Sequence, residues 1–170
     1  MSATTIRIDV KLLAVAVIAA VIAVGGWQAW RIVGPRPKVD VPRVVTDFGH
    51  QKVIYHLTEG GGYLGREHRN WLGNMENHFA ALEPGELDLV VVMNGDGVDL
   101  LTHAAADEKL AARIDALKAR GARFLVCRNT LISRGIEPAS LYGLRTGDLI
   151  GAGVAQIALL ERQGYGYLKP

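Results

Sequence analysis

The chain has 170 residues and a nearly balanced net charge of +2. That length allows one ordinary domain plus an appendage, with a core that needs no staples. The charge leaves no nucleic-acid footprint, and a single cysteine, Cys127, excludes an intrachain disulfide framework and a cysteine-based zinc cage.

The first element is Leu12 to Val24, an unbroken apolar run extended by Gly25-Gly26-Trp27-Gln28-Ala29-Trp30. From Leu12 to Trp30 it approaches the roughly 20 residues that cross a bilayer. Trp27 and Trp30 stand where an aromatic belt would sit. The run reads as a single-pass membrane anchor. A cleaved signal peptide is its rival, with Leu12–Val24 as the apolar region and Ala23-Val24-Gly25 as a small-residue cleavage site. Arg31, Arg36, Lys38 and Arg43 outnumber Arg7 and Lys11, which argues for a cytoplasmic C-terminal side. The very short N-terminal tail argues for export. The expectation is a soluble domain in the periplasm, anchored or released there after cleavage. Pro35, Pro37 and Pro42 then mark an extended linker. The organisation reads as 1–31 anchor or signal, 32–49 linker, 50–170 globular domain.

Within the domain, Lys52–Leu57 is β-branched and aromatic, a strand. Glu59-Gly60-Gly61-Gly62 breaks it. In Arg66–Leu82 the residues Trp71, Leu72, Met75, Phe79 and Leu82 recur at helical spacing. Leu87–Met93 is almost entirely apolar, as a strand covered on both faces must be. Asn94-Gly95-Asp96-Gly97 is a turn. A second helix opens at Asp107-Glu108, lines one face with Leu110, Ile114 and Leu117, and stops at Gly121. Ala122–Val126 is the next strand, Leu141–Thr146 a short fourth, Ile150–Gln163 a helix and Tyr165–Leu168 a last strand. Alternating helices and apolar strands imply an α/β fold with a parallel sheet and helices on both faces.

Cys127 ends an apolar strand just before the polar Arg128-Asn129-Thr130. Open α/β sheets carry their chemistry at the carboxyl ends of strands, and free backbone N–H groups there stabilise a thiolate. Taken alone, such a residue is as readily a small core hydrophobe. His56, near the end of the first strand, and Asp96, in the turn after Met93, belong to the same sheet edge. They are candidates to tune protonation. Gly60-Gly61-Gly62-Tyr63-Leu64-Gly65 matches G-x-G-x-x-G, but the acid that should follow the second strand is misplaced, so a flexible loop is the simpler reading. Asn70, Asn74, Asn77 and His78 form a polar stripe on the first helix, either a solvated face or a seam against another chain. The five histidines show no paired metal-ligand spacing, and neither a metal nor a cofactor is expected.

Four stretches together carry a resemblance: KVIYHL with the later NMENHF, LVVVMNGDGVDLL, GARFLVCRNTL and GVAQIALLERQGYGYLKP. From about Gln51 to Pro170 the chain resembles the DsrE/DsrF-like sulfur-relay family. The resemblance implies a compact α/β three-layer sandwich with a mainly parallel five-stranded sheet, assembled into trimers or hexamers. It also implies a persulfide carried on one cysteine and passed to a thiol sulfur-carrier protein. Cys127 matches the cysteine of the family's Cys-x-Asn-Thr-Leu motif. The apolar N-terminal segment departs from the soluble members. Cys127 is thus the expected sulfur carrier, supported by Asn129, Thr130 and Arg128. The alternative is a non-catalytic oligomeric binding or scaffold domain with Cys127 buried and inert.

Overall fold

The computed structural model describes residues 39–42, 44 and 46–170. The apolar run Leu12–Trp30 lies outside them. Among the described residues no helix is long and apolar enough to cross a membrane. The chain divides at Thr46, and Thr46–Pro170 forms one compact unit.

Five strands build its sheet: β1 (Gln51–Leu57), β2 (Leu87–Met93), β3 (Arg123–Cys127), β4 (Leu149–Ile150) and β5 (Gly166–Leu168). Their order is β4-β3-β2-β1-β5, and every neighbouring pair is parallel. β1 and β2 pair along their whole length, from Gln51 opposite Leu87 to Leu57 opposite Met93. Five helices connect the strands: α1 (Arg66–Ala81), α2 (Asp99–Ala104), α3 (Glu108–Ala119), α4 (Arg128–Arg134) and α5 (Gly153–Arg162).

Strand alternation divides the apolar residues between two unequal layers. Val53, Tyr55, Leu57, Leu89, Val91, Met93, Phe124 and Val126 share one cluster with α1 to α4. Ile54, Val90, Val92 and Leu125 share a smaller cluster with Ile157 and Leu160 of α5 and with Tyr165, and Ile150 packs against it. Helices therefore lie on both faces, four on one and a single one on the other. Burying Trp71, Leu72, Met75 and Phe79 of α1 contributes about 1.5–3 kcal/mol for each side chain. α3 starts on Asp107, whose Oδ1 accepts from the N–H groups of Lys109 and Leu110 at 3.0 and 3.1 Å. It ends where Gly121 N–H reaches the Lys118 carbonyl and Ala122 N–H the Leu117 carbonyl, a Schellman closure.

One expected strand is corrected. Leu141–Thr146 is a loop, and the fourth strand is Leu149–Ile150, paired with Val126 and Cys127. The reason lies in the partners of that loop. Leu141 is buried in the larger cluster, and the Tyr142 N–H goes to the Leu101 carbonyl within α2 instead of to a strand. The last helix starts at Gly153 rather than Ile150. Two short helices, α2 and α4, occupy stretches that carry too few residues for a periodic pattern.

The turn after β2 packs tightly on the end of β1. A Cβ on Gly97 would lie 2.1 Å from the Leu57 carbonyl oxygen. Only glycine permits that approach.

Candidate functional site

Cys127 is the last residue of β3 and the residue that caps α4, with extended backbone at φ −71°, ψ 114°. Alternation puts Leu125 and Cys127 on the α5 side of the sheet. The start of α5 closes over the sulfur: Gly153 N–H donates to Cys127 Sγ at 3.3 Å. Thr130, one turn into α4, is buried and accepts from Gly95 N–H through Oγ1 at 3.0 Å. This bond ties the turn after β2 to the helix after β3.

The sulfur's electrostatics follow from this cage. Burial pushes the thiol up. The Thr130 N–H and hydroxyl and the N–H groups of Gly153 and Asn129 act in the opposite direction and outweigh it, so the Cys127 pKa lies below the ordinary thiol value. Of these donors, Gly153 N–H makes the well-formed bond, and no side-chain cap hydrogen bond joins the sulfur to α4. The residue is only 5% exposed, so little of it is open to a reagent.

His56 lies on the same face, opposite Val92 in the ladder and so two residues short of Asn94. Its Nε2 meets Asn94 Oδ1 at 2.9 Å and its Nδ1 meets the Tyr167 hydroxyl at 2.8 Å. Asn94 Oδ1 is only an acceptor, so Nε2 donates and Nδ1 accepts from Tyr167. Asn94 also stands beside Gly153: a Cβ there would lie 3.4–3.5 Å from the Asn94 side chain. The line Tyr167–His56–Asn94 therefore ends against the glycine that holds the sulfur, and no hydrogen bond joins His56 to Cys127. Asp96 is placed elsewhere, in an ion pair with Arg134 at 3.6 Å. Arg128 and Asn129 are exposed on the first turn of α4. Sequence reasoning did not single out Gly153, Tyr167 or the Asn94 side chain. Gly153 lies 26 residues from Cys127, and no local pattern connects them.

Among the described residues no three His, Cys, Asp or Glu side chains converge to hold a metal.

The sequence profile of the DsrE/DsrF-like family matches residues 56–170. The chain belongs to that family. Its fold is similar to a protein of unknown function from Methanobacterium thermoautotrophicum, with a TM-score of 0.58 and 28% identity, over 71% of this chain and 99% of that one. A weaker likeness is to the ychN protein from E. coli, with a TM-score of 0.49 and 18% identity, over 70% of this chain and 97% of that one. None of the curated proteins matches the chain. The DsrE/DsrF-like domain thus carries a parallel five-stranded sheet, with its one cysteine at the carboxyl end of β3.

Proposed function

We propose that this DsrE/DsrF-like domain carries sulfane sulfur as a persulfide on Cys127. The observation that supports it most is the sulfur's setting: a thiol that burial would keep protonated is held toward thiolate by the donors around it. The thiolate attacks the outer sulfur of a donor persulfide R–S–SH. A Cys127 S–S bond forms, the donor's S–S bond breaks, and R–S⁻ leaves. An acceptor thiolate then attacks the terminal sulfur, takes it and releases the Cys127 thiolate. The exchange needs no external oxidant. Asn129 and Thr130 serve as donors to the sulfur, Arg128 adds exposed positive charge at the entrance, and the domain is tethered to a membrane by Leu12–Trp30.

A second reading is favoured by the 5% exposure of Cys127: a binding or scaffold domain in which the thiol is packed and inert. Mass spectrometry of the native chain after polysulfide treatment separates the two. Persulfide loading adds about 32 Da per sulfur atom, is removed by reductant, and disappears in Cys127→Ser. A Cys127 that reacts only after denaturation establishes the packed reading.

A further inference from the structure

A second set of polar groups lies on the opposite face of the sheet, where α1 and α2 meet. His68 stands in the first turn of α1 and His103 in the last turn of α2, 35 residues apart in sequence. Their Nδ1 atoms face each other at 3.2 Å. His68 is 1% exposed, and its Nε2 has no hydrogen-bond partner among the described residues. His103 is exposed. Beside the pair opens a groove of about 430 Å³ between the start of α1 and the α2–α3 junction, with Gly62, Leu64, Arg69 and Thr102 on its walls.

The loop before α1 is shaped around this pair. A Cβ on Gly61 would lie 2.4 Å from the His68 ring, so only glycine fits over it. Leu64 adopts a left-handed conformation, φ 54° and ψ 32°, between left-handed Gly62 and Gly65. Such strain in a residue with a Cβ costs about 1–3 kcal/mol and gathers at ligand sites. Arg69 is turned away to the Leu64 carbonyl at 2.7 Å, bracing the loop.

We propose that His68 and His103 bind one divalent transition-metal ion of the zinc or copper class through their facing Nδ1 atoms. The distance supports this directly. Two nitrogens at about 2.0–2.1 Å from a tetrahedral zinc ion lie about 3.3 Å apart, close to the 3.2 Å observed. Imidazole suits zinc and copper. No third protein carboxylate, thiol or imidazole completes the set among the described residues, so water or a small ligand in the groove fills the remaining positions. Asp99 has its carboxylate in an ion pair with Arg134 at 2.9 Å, and Asp107 caps α3.

One Nδ1 carries a hydrogen in the metal-free pair and donates it to the other. With His103 as that donor, His68 already holds its proton on Nε2 and offers a free Nδ1 lone pair. Ligation then moves the His103 proton from Nδ1 to its Nε2, and no other group changes state.

The test is titration of the tag-free full-length chain with zinc alone, read by competition with a chromophoric chelator. Copper(II) titration followed by electron paramagnetic resonance is the second readout. One ion per chain should bind at micromolar concentration, and the copper spectrum should show coupling to two nitrogens. His103→Ala alters an exposed side chain and should leave folding intact while weakening binding at least about tenfold, since even the loss of an outer-shell partner costs that much. His50→Ala and Cys127→Ser should bind as the parent chain does. No saturable binding below millimolar metal, or equal binding by His103→Ala, overturns the proposal. Loss of the ion in Cys127→Ser would place it on the sulfur instead and overturn it as well.

Discussion

Gly153 donates its N–H to the sulfur of Cys127 at 3.3 Å, and the same glycine packs against Asn94. One backbone group at the start of α5 thus covers the thiol and helps hold it toward the thiolate state. Reactivity and access are opposed at this site: the glycine that supplies a donor also covers the sulfur.

The pH profile of alkylation reports that balance. A thiol pKa below the ordinary value means that the thiolate fraction is already high at lower pH. The native-state rate should therefore rise and level off at lower pH than for a free thiol of pKa about 8.5. Thr130→Val removes a donor to the sulfur and should move the midpoint upward. It also strands the Gly95 N–H that Oγ1 accepts, a loss of about 1–3 kcal/mol readable by urea denaturation. An unshifted midpoint in Thr130→Val would show that its hydroxyl has no part in tuning the thiol.

Gly97→Ala should be among the most damaging single changes in the domain. The added Cβ meets the Leu57 carbonyl at 2.1 Å, a backbone atom that cannot rotate away. The expected loss is about 1–3 kcal/mol or more, as for forced overpacking, seen as a lower urea midpoint at unchanged slope. Gly85→Ala is a useful contrast, because its Cβ would meet nothing within 4 Å. There only the left-handed backbone, φ 90°, resists the substitution.

Membrane attachment is the outcome expected from Leu12–Trp30. The full-length chain should sediment with membranes and resist alkaline extraction, whereas a chain starting at Val39 should remain in the supernatant. A mature N-terminus at Gly26 or Trp27 would show a cleaved signal. Protease accessibility from the periplasmic side tests the expected orientation.

Self-association is expected for the domain. Asn70, Asn74 and Asn77 are exposed on α1, and Val154, Tyr167 and Leu168 leave apolar surface on α5 and β5. Sedimentation at micromolar concentration should show a closed species of at least three chains. Asn74→Arg dissociates it if the stripe is the interface, and Val154→Arg does so if α5 is. A monomer throughout that range removes both. His78 no longer belongs to the stripe in this sense: it bonds the Tyr55 hydroxyl at 3.1 Å and Gln51 at 2.8 Å, within its own domain.

Local pattern carried much of the architecture. The apolar run Leu87–Met93 identified a strand covered on both faces, and the spacing of Trp71, Leu72, Met75 and Phe79 identified the buried side of α1, because period-2 and period-3.6 burial are written in consecutive residues. Asp107 and Gly121 marked the ends of α3 through hydrogen bonds that span only a few positions. The place of Cys127 at a strand's carboxyl end was legible for the same reason. Leu141–Thr146 misled because its apolar residues pack as loop against α2 rather than pair in a ladder. Only the tertiary structure decided which groups meet. It set Gly153 on the Cys127 sulfur, Asn94 between His56 and that glycine, Asp96 on Arg134, and His68 against His103. Such contacts depend on the path of the chain through the sheet and on which helices cover each face. No spacing between residues 26 or 35 positions apart encodes that path.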